Sequence, residues 1–181
     1  MLFRTLPESS HELVVLRPIA AADLPVWYEY LSRPVVFEHT SWDLHSPHDL
    51  AQYVWNPQAF TPSSLLRVAI ALRSTGELVG TAGFHTVLPQ NRCAELAYDL
   101  TPSLWGRGIA SHVCGRLVDW AHAEAGMVRV QATVLESNLR SARVLQRCGF
   151  EREGLLKNYR MVRGRPCNFD MFSHIVAGDT T

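Results

Sequence analysis

The chain has no charge surplus: 17 Lys and Arg balance 17 Asp and Glu. A nucleic-acid-binding protein is expected to carry a basic excess, so the balance argues against that class and leaves room only for a local basic patch. No apolar run approaches the roughly 20 residues of a membrane span. The first eleven residues, Met1 to His11, lack the apolar core of a secretory signal. Cysteine is sparse, and no two of Cys93, Cys114, Cys148 and Cys167 have metal-ligand or C-x-x-C spacing. That pattern suits reduced, mostly buried thiols and a cytoplasmic location. There is no internal repeat and no low-complexity tract. What remains is 181 residues of ordinary composition, enough for one domain with a real core.

The apolar periodicity predicts the order β-α-α-β-β-β-α-β-α-β-β, a mixed α/β domain rather than a doubly wound parallel sheet or a bundle. Leu13 to Arg17 reads as a strand and Ala20 to Leu31 as a helix, with Pro25 tolerable near its first turn. Pro34 to Leu44 is an irregular, aromatic-rich connection. Ser46 to Trp55 has a helix-start signature, Ser46 as N-cap and Pro47 at the first position. Leu65 to Leu72 and Leu78 to His85 flank the hairpin turn Ser74-Thr75-Gly76-Glu77. Arg92 to Leu100 is the next strand, followed by a long helix to about Glu124 closed near Gly126. Val128 to Leu135, Phe150 to Leu155 and Asn168 to Val176 are strands. Asn138 can cap a helix running to Arg147.

The stretch Trp105-Gly106-Arg107-Gly108-Ile109-Ala110 joins a strand to a helix whose apolar stripe is Ile109, Ala110, Val113, Cys114, Leu117 and Ala121. Two glycines before a helix start make an anion seat, because the backbone can approach a ligand closely and the first helical N–H groups have no internal partner. A phosphate or pyrophosphate is the ligand such a seat suits. A tight turn with no ligand gives the same letters.

Two separated segments carry a family resemblance. The first runs Glu95-Leu96-Ala97-Tyr98-Asp99-Leu100, then Thr101-Pro102-Ser103-Leu104, then the glycine loop. The second is Glu136-Ser137-Asn138-Leu139-Arg140-Ser141-Ala142-Arg143-Val144-Leu145-Gln146-Arg147-Cys148-Gly149-Phe150. Together they resemble the GNAT superfamily of acyl-CoA-dependent N-acetyltransferases, and within it the RimJ/RimL-type branch that acetylates ribosomal-protein N-termini. The resemblance implies a mostly antiparallel central sheet flanked by helices. It implies that Trp105, Gly106, Arg107, Gly108, Ile109 and Ala110 receive the pyrophosphate of coenzyme A, and that the pantetheine arm runs along Tyr98, Asp99 and Leu100. It also places Asn138, Ser141 and Arg143 along the cofactor. Asn138 reads equally as a plain N-cap, and Arg107 and Arg143 as plain surface arginines. Trp105 stands where the family often has Gln or Arg, and packing on the helix is its simplest role. Leu145 stands where many members have a tyrosine that protonates the leaving thiolate. Leucine has no proton to give, so the resemblance moves that role to Ser141.

The implied reaction is attack of a neutral amine on a thioester. An α-amine with a pKa of about 7.7–8.0 is already neutral in roughly one molecule in ten at pH 7, whereas a lysine at about 10.4 is neutral in roughly one in 2,500. Glu95 is the candidate base, through a water. It shares a strand face with Ala97 and Asp99, and a partly desolvated carboxylate there is expected to have a raised pKa. The alternative is an ordinary exposed glutamate, and Asp99 is a second candidate. Trp27, Tyr28, Phe37, Trp42, Tyr53 and Trp55, beside Glu29, Glu38, Asp43 and Asp49, suit a cationic amine or simply helices packed on the sheet. His45-Ser46-Pro47-His48 is a polar loop rather than a metal site, His85 is a structural or cleft residue, and Asp170 is structural.

The expectation is therefore an acetyl-CoA-dependent N-acetyltransferase, with no metal, acting on a primary amine in a ternary complex, as a monomer or homodimer. The acceptor is a protein N-terminal α-amine or a small-molecule amine such as an antibiotic, amino acid or polyamine. The rivals are a non-catalytic acyl-CoA-binding sensor and a nucleotide-phosphate enzyme, which would need a P-loop pattern the chain lacks.

Overall fold

The computed structural model describes residues 7–54 and 66–176. Seven strands form one sheet: β1 Val14–Pro18, β2 Leu66–Leu72, β3 Leu78–Leu88, β4 Cys93–Leu100, β5 Arg129–Leu135, β6 Glu151–Val162 and β7 Arg165–Ile175. Their spatial order is β1-β2-β3-β4-β5-β7-β6. Every neighbouring pair is antiparallel except β4 and β5, which are parallel and are joined through a helix, as parallel neighbours require. Among the described residues four α-helices accompany the sheet: α1 Leu24–Leu31, α2 Pro34–Phe37, α3 Ile109–Ala123 and α4 Leu139–Arg147.

The order and type of elements agree with the periodicity, and the differences are local. The segment after Ser46 is a 3-10 helix, Pro47–Tyr53, and Trp55 lies outside the described residues. Asp49 accepts from the backbone N–H groups of His45 and Ser46 at 2.7 and 2.9 Å, fixing that start. β6 and β7 are each longer than the alternation suggests. Their turn places Arg163 and Gly164 at positive φ, and two register irregularities interrupt the pairing.

The two faces of the sheet are covered by different helices. On one, α3 buries Ile109, Val113, Cys114 and Leu117 against Leu66, Val68, Phe84, Leu96 and Val130. Each fully buried aliphatic side chain of this kind contributes about 1.5–3 kcal/mol. On the other, α1 buries Trp27, Tyr30 and Leu31 against Ala69 and Leu78. β2 is therefore buried almost throughout, and it is apolar at every position but Arg67.

A charged network pins α1 to the sheet. Asp99 accepts from the Tyr30 hydroxyl, the Arg67 guanidinium, the Thr81 N–H (3.1 Å) and the Thr81 hydroxyl (2.7 Å), and Arg67 Nε donates to the Thr81 hydroxyl at 2.7 Å. Arg67 and Asp99 are both buried. Burial, together with the Asp99 charge, pushes the Tyr30 phenol well above its usual range, so it stays a donor. The Asp99 carboxylate is thus committed to structure, which removes it as the second candidate for a base. Asp99→Ala would strand the Arg67 cation in the core. The expected cost is about 3–5 kcal/mol by urea unfolding at pH 7, with Arg67→Leu/Asp99→Leu less damaging than that single change. A loss under about 1 kcal/mol would show that the pair does not hold α1.

Candidate active site at the divergence of two strands

β4 and β5 pair only through Cys93–Arg129, Ala94–Val130 and Glu95–Gln131. At the last of these levels β3 carries a bulge: Phe84 faces Leu96 and Thr86 faces Glu95, leaving His85 as the extra residue. A bulge sharpens local twist. Beyond Glu95 the two strands part, and the β4 edge from Leu96 to Leu100 has no strand partner on the β5 side among the described residues.

A cavity of about 380 Å³ fills the opening, running past Tyr98 and Leu100 to Gly106, Gly108, Ile109 and Ala110 and across to Ser141 and Arg143. That is the size range of a small-molecule site. Gly106 and Gly108 have φ of 78° and 77°, conformations that L side chains rarely adopt, and a Cβ at either would meet nothing within 4 Å. The glycines serve backbone shape, and the space above them is open. Gly108 is the N-cap of α3, so the first helical amides face that space. Trp105 donates its indole N–H to the Leu100 carbonyl at 2.8 Å and packs on the core, as a packing role requires. Arg107 is exposed and lies outside the cavity lining, whereas Arg140, Arg143 and Arg147 line it. The Arg140 guanidinium sits 4.7 Å over the Trp105 ring. Sequence reasoning missed Arg140 and Arg147. Their i, i+3, i+7 spacing with Arg143 is the signal that places all three on one helix face.

A second cavity of about 350 Å³ lies alongside. The two share His39, Thr40, Tyr98, Asn138 and Ser141. Asn138 Oδ1 accepts from the Ser141 N–H at 3.1 Å, and its Nδ2 donates to the His39 carbonyl at 3.1 Å. It therefore acts as an N-cap and also ties α4 to the segment after α2. Arg163 holds the same segment, donating to the Thr40 and Trp42 carbonyls at 3.0 and 3.2 Å with its guanidinium over the Phe37 ring. The Tyr98 hydroxyl lies 2.7 Å from Ser141 Oγ and 3.0 Å from the Ser141 carbonyl. Burial raises the Tyr98 phenol well above its usual range. Leu145 is fully buried and brings only an apolar wall. His39 carried no sequence signal, since nothing near it in the chain marks a cleft residue.

Glu95 departs from expectation. It is 5% exposed rather than open to the cleft. Its Oε1 accepts from Thr133 at 2.7 Å, from Arg160 at 3.1 Å and from His85 Nε2 at 3.1 Å. Burial alone would raise its pKa. The hydrogen bonds from His85 and Thr133 and the charge of Arg160 outweigh that and hold it at about 2. The aromatic wall also has its cation already: Trp27, Trp42 and Tyr53 surround the Arg67 guanidinium at 5.5, 5.5 and 5.6 Å. Tyr28 donates to the His45 carbonyl at 3.1 Å, and Phe37 lies under Arg163. His85 lines the second cavity, and Asp170 accepts from Arg152 at 2.8 Å, away from both.

Residues 14–151 match the model of the acetyltransferase (GNAT) domain. The chain is 30% identical over 166 residues to the N-acetyltransferase p20 of Bacillus licheniformis, covering 90% of this chain and 92% of that one. The alanine N-acetyltransferase of ribosomal protein uS5 from Escherichia coli is 27% identical over 90 residues, 49% of this chain and 46% of that one. Among solved structures, RimL in complex with coenzyme A superposes with a TM-score of 0.78 at 19% identity, covering 93% of this chain and 97% of that one. The likeness to that structure lies in the fold, while the domain match and the p20 relative fix the kinship: the chain belongs to the GNAT family of acetyl-CoA-dependent N-acetyltransferases, with RimJ/RimL-like relatives.

Proposed function

We propose that the first cavity receives acetyl-CoA, that the second receives a primary amine, and that transfer takes place where they meet, at Tyr98 and Ser141. The observation that carries this reading is the shared wall of the two cavities. The residues fit the cofactor: an unpaired strand edge for an amide-bearing arm, an open glycine loop with free helical amides for a diphosphate, and arginines on α4 for phosphate oxygens. Bound there, acetyl-CoA supplies an acetyl group activated as a thioester. The acceptor nitrogen forms the new C–N bond, the C–S bond breaks with its electron pair going to sulfur, and the nitrogen's proton goes to water. An N-terminal α-amine suits the site best, because a useful fraction of it is neutral without help.

Glu95 does not serve as the base in this reading. Moving a proton from an ammonium near 8 to a carboxylate at about 2 is uphill by about 8 kcal/mol. Glu95 instead orients His85 and Arg160. Ser141 faces the departing sulfur from the first turn of α4, where the helix dipole favours negative charge. If the single Tyr98 proton is given to Ser141 Oγ, the serine proton is free for the sulfur. Tyr98 is then a positioning residue and not the proton source, in keeping with its raised pKa.

The reading is tested by thiol release from acetyl-CoA across N-terminal peptides and small amines. Ser141→Ala is expected to lower kcat about 10- to 100-fold, the worth of one hydrogen bond to a charged group, with the Kd for coenzyme A within about threefold by calorimetry. Unchanged turnover would remove Ser141 from the reaction. Glu95→Gln is expected to keep a pH–rate profile that rises over the same range as the parent, set by the acceptor amine; a limb that vanishes on substitution would restore Glu95 as base. Its effect on stability has a definite sign. A carboxylate lowered from 4.5 to about 2 stabilises the fold above pH 4.5 and loses that contribution as pH falls through 2. The unfolding-energy difference between parent and Glu95→Gln should therefore be full at pH 7 and shrink below pH 5.

A further inference from the structure

The charge distribution of the second cavity narrows the acceptor. Its lining includes the guanidinium groups of Arg67 and Arg160, together with His85, and among the described residues it includes no carboxylate. Glu95 and Asp99 lie beneath the surface, each committed to cations of the protein itself. An acceptor presenting only positive charge finds no counter-charge here, and the aromatic cage that would suit it already holds Arg67.

Arg160 is placed differently. Its side chain is 32% exposed and rests over the Tyr159 and Phe169 rings at 5.0 and 5.5 Å. Nη2 reaches Glu95, and its other N–H groups have no partner among the described residues. A guanidinium held on one side by a carboxylate and on its face by rings offers the remaining fork to an oxyanion in fixed geometry. Resting on the proposed transfer reading, we infer that the acceptor is a primary amine carried on an anionic molecule, with a carboxylate or phosphate oxygen of that molecule on Arg160. The same cations favour the neutral form of a nearby amine, which supplies nucleophile in a site whose buried glutamate is too weak a base.

The test is acetyl transfer from acetyl-CoA to matched acceptors: Ala-Ala against Ala-Ala amide for a carboxylate, phosphoethanolamine against ethanolamine for a phosphate, and spermidine as the all-cationic case. The parent protein should favour the anionic member of at least one pair by about tenfold in kcat/KM, consistent with one charge-assisted contact, and the two pairs tell carboxylate from phosphate. Arg160→Gln should bring that ratio to within about twofold, and Arg160→Lys, which keeps a cation beside Glu95, should retain part of it. A merely structural arginine would lower both members equally and leave the ratio intact, and that result overturns the inference. So does a preference for spermidine or for the neutral members. If acetyl-CoA binds and no amine releases thiol, the transfer reading itself fails and takes this inference with it.

Discussion

Three residue pairs hold β4 to β5, and the opening between them, the proposed site, follows from there being no fourth among the described residues. A strand edge inside a sheet is normally consumed by its neighbour, since unpaired backbone groups away from water are costly. Here the edge of β4 is withheld from β5 over five residues, Leu96 to Leu100, and the His85 bulge sits at the level where the strands part. The opening has the backbone donors and acceptors of a strand along one wall and the first turns of two helices, α3 and α4, at its ends. Such a wall recognises an extended amide chain by shape, and the helix starts recognise negative charge.

The buried ion pairs decide what chemistry the opening can support. Asp99 and Glu95 point the same way from β4, yet neither is available to a substrate. Asp99 pins α1 through Arg67 and Tyr30, and Glu95 gathers Thr133, His85 and Arg160 onto one oxygen. On the proposed transfer reading, removing a carboxylate from reach in this way leaves the acceptor side of the site with donors facing inward. That arrangement disfavours an ammonium and favours a neutral amine. A proton relay through the protein is then unnecessary for an α-amine and would be indispensable for a lysine.

Much of this was legible in the sequence. The Ile109–Ala121 stripe, the paired glycines before it and Asn138 ahead of the next helix placed both walls of the first cavity, because helical period and caps are local signals. The alternation of β4 correctly sorted Glu95 and Asp99 onto one face and Leu96, Tyr98 and Leu100 onto the other. What alternation cannot report is what covers a face. The partners of Glu95 come from β3, β5 and β6, and those of Asp99 from α1, β2 and β3, so the inversion from raised to lowered pKa at Glu95 was invisible to any window. For the aromatic cluster the packing alternative holds, and the cation it surrounds, Arg67, arrives from another part of the chain. The strand read as Phe150 to Leu155 runs on to Val162, and the hairpin absorbs the extra residues with Asn158 at positive φ and a register irregularity.

A crystal structure with coenzyme A and an amine is the most direct test of a site built on strand divergence. The account predicts that the pantetheine arm lies along Leu96 to Leu100, with the diphosphate over Gly106 and Gly108 and the sulfur beside Ser141. Coenzyme A lodged elsewhere, or β5 moved in to pair with β4 through residue 100, would contradict it.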